Sequence, residues 1–268
     1  QNMSGLFEVT VSGERGTKLY MWPLEKLDAK QEPWKTVDSW CSYVLEGEGE
    51  ERWKPKFTYE AGRYLLIRQA LPGEENLSET DKDAQGMGCE APASGKEGLT
   101  AEKAASVRIL AVRGYAVTSG ARDVGSFVCS DYRYMQIHDL VKRAMESNLN
   151  HVHTDCPTIE RLGWQEGNHL MAPSIFYMKD GRKMGEKFLL DMRTAQHTSE
   201  DYFLDFEGNR FYPGDGLMPS QCPCYIPNVL PVPGMGSFYD IIPWGSTCIL
   251  GTYWHYLFYG DRKIIEDN

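Results

Sequence analysis

Apolar and polar positions alternate along the first seventy residues. "LFEVTVSG" and "GTKLYMWPLEKL" read as two strands joined by a glycine turn, and "SYVLEGEGEERWKPKFTYEAGRYLLIRQ" as two β-rich runs around an acidic loop. Large apolar side chains then almost vanish: residues 71–105 are rich in Gly, Glu, Lys and Ser, which predicts an exposed, mobile insertion. "SVRILAVRGYAV" at 106–117 returns to β, so an antiparallel β-sandwich closes near residue 120. Beyond it the period changes to three and four. Tyr134, Ile137, Leu140, Val141, Met145 and Leu149 predict a helix over 131–149, with Ser130 or Asp131 as its cap. "HLMAPSIFYMKD" and "KMGEKFLLDMRTAQ" predict two more helices, and "IIPWGSTCILGTYWHYLFYGD" a fourth that ends at Gly260. The Pro-, Gly- and aromatic-rich stretch 201–237 is too long for a plain connection, and its length predicts a functional loop. The expected organisation is a β-sandwich domain over 1–120 and a mainly α domain over 121–268.

Length and composition fit a folded two-domain protein: 268 residues, 41% hydrophobic and 25% charged. A net charge of -10 argues against nucleic acid or an anionic membrane as the main partner and suits a neutral ligand. Seven cysteines, an odd number in a chain too long to depend on disulfides, are expected to be mostly free thiols. Neither a leader pattern nor an apolar run of membrane-spanning length is visible in these residues.

Chemistry concentrates in "HVHTDCPTIERLGWQEGNHL", residues 151–170, with three histidines, a cysteine and three carboxylates around a tryptophan. Four readings are open from the residues alone. His151, His153 and Cys156 offer zinc-compatible ligands, and His153 with Asp155 and a distant His197 would resemble an iron facial triad. Asp155, Glu160 and Glu166 beside Trp164 supply the paired carboxylates and apolar surface that glycoside hydrolysis needs. The fourth reading is structural: Asp155 or Asn168 caps a helix, the histidines are satisfied by hydrogen bonds, and Trp164 is core.

The order of residues separates these readings. "TDCPTIERLGW" resembles the D-C-P-x-R-E-x-L-G-W signature of the bacterial α-L-rhamnosidases of glycoside hydrolase family 78. "ERWKPKFTYEAGRYLLI", "DMRTAQHTSED" and "IIPWGSTCILGTYWHYLFYGD" resemble further segments of that family, and only 71–105 is poorly matched. The resemblance implies a β-sandwich followed by an (α/α)6 barrel, and inverting hydrolysis of terminal α-L-rhamnose, with no cofactor and no metal. It implies that Glu160 is the general acid and that Asp155 binds the sugar. Trp164 and Trp244 become candidates for apolar ring contact, and His153, His169 and Tyr212 for polar contacts. Where many members read G-W-T-G-D, this chain reads Gly163-Trp164-Gln165-Glu166-Gly167-Asn168, so Glu166 or Asn168 would replace the missing aspartate. Ile159 stands where an arginine is usual.

Twelve barrel helices need on the order of 200 residues, more than the 148 that follow residue 120, and no position matches the family's catalytic base. A piece of a longer enzyme is therefore expected: a sandwich and the first part of the barrel. The alternative is a carbohydrate-binding or catalytically incomplete remnant. A rhamnose-containing carbohydrate is the implied partner. Oligomeric state is left undetermined, as is location within or outside a bacterial cell.

Overall fold

The structure, a computed structural model, describes residues 2–31, 40–70, 107–204, 208–212, 214–223 and 241–268. The insertion expected at 71–105 lies outside the described residues, as do Cys89, Cys224 and much of the 201–237 stretch. The chain forms two compact units, Gln1–Val117 with Pro157–Ile159, and Thr118–Cys156 with Glu160–Asn268.

The first unit is two antiparallel sheets. In one, β1 (Met3–Ser12) is central; β4 (Glu51–Trp53) and β5 (Glu60–Gly62) share one of its edges and β7 (Arg108–Ala116) runs along the other. In the second, β2 (Lys18–Leu24) lies between β3 (Cys41–Val44) and β6 (Tyr64–Gln69). Alternation sends Phe7, Val9 and Val11 of β1 against Leu19 and Met21 of β2, and Leu45 completes the core between the sheets. The other side chains of β2 are buried too: Tyr20, Trp22 and Leu24 pack with Leu27, Trp40 and Leu66. This is why "KLYMWPL" reads as a continuous apolar run rather than an alternating one. Truncating a core residue such as Leu19 to alanine costs about 2–5 kcal/mol.

The β-rich run expected after the acidic loop holds three strands, β4, β5 and β6. It breaks at Gly62, where a Cβ would stand 2.9 Å from Leu24 N and 3.1 Å from Leu24 O. That close approach lets the chain leave the first sheet as β5 and enter the second as β6. The acidic loop before β4 is held by Glu51, whose carboxylate accepts hydrogen bonds from Tyr43 Oη (2.6 Å), Glu46 N (2.8 Å) and Gly47 N (2.8 Å). The Tyr43 bond first, then the backbone donors, hold the Glu51 carboxyl below its ordinary range, and Tyr43 is pushed up to about 12.

The second unit is helical. Asp131 caps α1 (Tyr132–Asn148) by accepting from Arg133 N at 3.0 Å. A two-residue hairpin, β8 (Leu149–Asn150) and β9 (Val152–His153), turns through His151 at φ 44°. Then come α2 (Gln165–Met178), α3 (Arg182–Thr194), the short pair β10 (Phe203–Leu204) and β11 (Arg210–Phe211), α4 (Ile242–Gly245), α5 (Thr247–Tyr259) and α6 (Lys263–Asp267). The last long helix predicted from the sequence is thus divided at Ser246, and α5 ends where Gly260 takes the left-handed conformation (φ 66°). Helices α2 and α3 pack on α5 around Ala172, Ile175 and Phe176, with Met145 and Leu149 joining from α1 and β8. Asp123 binds Lys142 (2.5 Å) and the buried Lys179 (2.6 Å), and Lys179 also binds Glu146; the two lysines hold Asp123 down to about 2. Among the described residues no helix is long and apolar enough to cross a membrane.

The predicted stripe of α1 is only half used. Met145 and Leu149 are buried, but Tyr134, Ile137 and Leu140 are 60%, 55% and 62% exposed, because none of the described helices packs over that part of α1.

Two outcomes follow from the contrast between the units. Amides of β2, bonded on both edges and covered on both faces, exchange slowest, and those of residues 132–141 exchange much faster, as read by hydrogen exchange with mass spectrometry. Acid acts on the units in order. Burial lowers His153 to about 4 and also lowers His169 and His197, all in the helical unit. A folded-state pKa below the unfolded one means stability that is full above about 6.5 and falls as pH drops toward about 4, by about 3 kcal/mol for His153 alone. Glu51 likewise stabilises above the ordinary carboxylate range and loses its effect only as pH falls through it. Tertiary signals of the helical unit therefore weaken between pH 6.5 and 5 while those of the sandwich persist; the reverse order would refute the assignment.

Candidate active site

The chemistry-bearing segment is a loop closed at its base. After β9, Thr154 bonds back to Asn148 through its backbone N (3.0 Å) and its hydroxyl (2.9 Å to Oδ1). Asp155 then joins Leu162 twice: Asp155 N donates to Leu162 O, and Leu162 N donates to Asp155 Oδ1, each at 3.2 Å. Residues 156–161 bulge between these two positions, with Arg161 at φ 55°. Inside the bulge Glu160 N donates to the thiol sulfur of Cys156 (3.1 Å), which sets the backbone from which the exposed Glu160 side chain leaves.

The Glu160 carboxylate is held by the tryptophan four residues on: Trp164 Nε1 donates to Glu160 Oε2 at 2.7 Å. Trp164 in turn meets Trp244 edge to face, with ring centroids 6.3 Å apart at 72°. Their backbones explain the meeting. Trp164 is extended, and the residues on either side of it pair with 220–222 through Cys222 N to Gly163 O and Gln165 N to Ser220 O, both 2.9 Å. A Cβ on Gly163 would stand 2.4 Å from Cys222 O, so only glycine permits this approach. Ser220 Oγ accepts from Ile241 N (3.1 Å), the residue before the helix that carries Trp244.

Beneath Trp164 lies a buried polar network. The Gln165 amide donates to Gly163 O (2.8 Å) and Cys222 O (3.1 Å) and accepts from Asn168 Nδ2 (2.8 Å). Thr247 Oγ1 donates its one hydrogen to Gln165 O (2.6 Å), so His169 Nδ1, 2.7 Å from the same oxygen, must be the protonated nitrogen. Burial lowers His169 against the field of Glu166, so this tautomer is neutral. His153 is buried beside Asn168 and under Gly167, and it too is neutral.

The structure thus brings Glu160, Trp164 and Trp244 together and sets Asp155 at the base of their loop. Glu166 is half-buried in the first turn of α2. Asn168 and His169, expected to touch sugar, are instead 8% exposed each, with side chains committed to Gln165 and Thr247. Tyr212 is exposed beside Tyr202, apart from this cluster. The metal readings find no geometry: His151 and His153 flank one residue of a tight hairpin, the first exposed and the second buried. Among the described residues no group of three or more potential ligands is placed to hold a metal. Gln165, Ser220 and Thr247 were not singled out from sequence. They carry no charge, and the only hint was the length of the loop that contains Ser220.

The comparisons agree with this architecture. Residues 122–268 match the bacterial alpha-L-rhamnosidase 6 hairpin glycosidase domain, and residues 1–86 the bacterial alpha-L-rhamnosidase concanavalin-like domain. An alpha-L-rhamnosidase of Streptomyces avermitilis is 26% identical over 272 residues, covering 100% of this chain and 21% of that protein; one of Formosa agariphila is 23% identical over 225 residues, 84% of this chain and 19% of its own length. The chain thus spans about a fifth of the curated relatives it matches. The fold is shared with the crystal structure of the Streptomyces avermitilis enzyme complexed with L-rhamnose (TM-score 0.68, 22% identity, 100% of this chain and 21% of that one). It is shared equally with alpha-L-rhamnosidase from Dictyoglumus thermophilum (TM-score 0.68, 20% identity, 100% and 24%). An antiparallel β-sandwich followed by helices of a six-hairpin domain, matched along more than half its length, makes this chain a member of the bacterial α-L-rhamnosidase six-hairpin glycosidase family.

Proposed function

We propose that the chain is the acid-bearing part of an inverting glycosidase that releases terminal α-L-rhamnose from a glycan or glycoside. On this reading residues 1–120 are its sandwich domain and 121–268 the first part of its catalytic domain. One observation carries the proposal most directly: an exposed carboxylate, Glu160, is held by a tryptophan indole beside a second tryptophan, on the segment that resembles the family signature.

The hydrogen bond gives the acid a defined direction. An indole N–H only donates, so the Glu160 oxygen facing it must accept, which leaves Oε1 as the oxygen that carries the proton toward the glycosidic oxygen. The aromatic edges of Trp164 and Trp244 supply an apolar surface for a deoxysugar ring. Asp155 orients sugar hydroxyls while one of its oxygens keeps the loop closed. Glu166 stands in for the family aspartate, and Asn168 and His169 support the site from behind. An inverting reaction also needs a base roughly 6.5–9.5 Å from the acid, which we assign to a part of the longer protein.

In the full-length protein, Glu160→Gln should lower turnover of a rhamnoside with a poor leaving group by about 10²–10⁴. A substrate with an activated phenolate leaving group should lose much less, since it departs without protonation. Asp155→Asn should slow both substrates alike, because hydroxyl positioning does not depend on the aglycone. Equal losses on both substrates for Glu160→Gln would remove Glu160 from the role of acid.

A further inference from the structure

A buried amide side chain that bonds to the backbone on both sides of a functional residue does more than fill space, and Gln165 is such a group. It is 1% exposed, immediately follows Trp164, and uses its groups in five directions. Its Nε2 donates to Gly163 O and to Cys222 O, so one amide grips the residue before Trp164 and the opposing segment at once. Its Oε1 accepts from Asn168, its backbone N donates to Ser220 O, and its backbone O accepts from Thr247 at the start of α5.

Trp164 itself sits between two fixed residues in extended conformation (φ -61°, ψ 124°). The Gln165 side chain turns inward from the first position of α2, whereas the Trp164 side chain reaches the exposed Glu160 carboxylate. The direction of the indole is therefore set by how 163–165 is pinned to 220–222. That direction decides which oxygen of Glu160 receives the Trp164 hydrogen bond. We infer that Gln165 is a positioning residue: through the Gly163 and Cys222 carbonyls it fixes the Trp164 indole, and through that indole the proton-bearing face of Glu160. The second step rests on the assignment of Glu160 as general acid; the first does not.

Neither an aliphatic residue nor an ionised carboxylate can do this. Leucine takes one donor from each of the two carbonyls, leaving the Cys222 N bond to Gly163 O without its reinforcement, and glutamate sets a negative oxygen against them. With 5-fluorotryptophan in the full-length protein and the Trp164 signal assigned by Trp164→Phe, Gln165→Leu and Gln165→Glu should both shift and broaden the Trp164 fluorine resonance. Turnover of a poor-leaving-group rhamnoside should fall on the order of 10²-fold, as a displaced catalytic group does, with KM little changed and a much smaller loss on an activated phenyl rhamnoside. A purely structural role would lower the melting temperature and the active fraction but cost both substrates equally.

If the Gln165 variants do not fold, Thr247→Val decides. It removes the bond to Gln165 O from α5 and should move the same resonance in the same direction by less. An unmoved Trp164 signal in whichever variants fold overturns the inference. Equal losses on both substrates for Gln165→Leu, while Glu160→Gln keeps its leaving-group dependence, overturn it also. Loss of that dependence in Glu160→Gln sinks the acid assignment instead, and the fluorine shift, which does not pass through Glu160, still reports on Gln165.

Discussion

The close backbone approach at Gly163 is the constraint from which the site takes its form. Two segments nearly sixty residues apart in sequence meet there as a fragment of antiparallel pairing, and the meeting is possible only because position 163 has no side chain. Trp164 and Trp244 are both referred to that contact. The residue after the glycine projects toward the carboxylate, and the next one projects into the protein interior. Ser220, on the other side of the pairing, hands the geometry on to the start of α4. No ion pair is needed for any of these links. Those of the pairing itself are neutral hydrogen bonds between buried residues, whose value lies in the cost of leaving any one of them unmade.

The two units handle polar groups differently. In the sandwich, Glu51 closes a loop and Glu8 lies near Arg52 and Arg113, so charge serves the backbone or a neighbouring strand. In the helical unit, charge also ties segments together, at Asp123 and Lys179, but His153 and His169 are buried and neutral.

How much of this was legible in the sequence depended on range. Local signals were clear: the alternation of β1, the Asp131 cap and the Gly260 stop each rest on a few neighbouring residues. The family signature drew attention to Glu160, Asp155 and Trp164 through charge and aromaticity. What sequence could not supply was tertiary pairing. Nothing near Gly62 announces that the chain changes sheets there, because the reason is a backbone contact with Leu24. Nothing around Gln165 announces that its amide faces Cys222. Asn168 and His169 looked like ligand contacts because they are polar and close to the signature. The turn of α2 points them inward instead, a matter of helical phase that a polar residue does not reveal by its identity. The stripe on α1 misled in the opposite sense: periodicity reports which face is apolar, not which part of it is covered.

The edge of the first sheet has a practical side. Strand β7 is nine residues long, pairs only with β1 among the described residues, and carries Ile109, Leu110, Val112 and Tyr115 each 43–48% exposed. A long edge with apolar side chains on both faces is a template for another strand. Produced by itself, a polypeptide with this edge is predisposed to register with copies of itself and come out of solution as β-rich aggregate. A charged or proline residue placed at an outward position of β7 is therefore the first change to make in handling it.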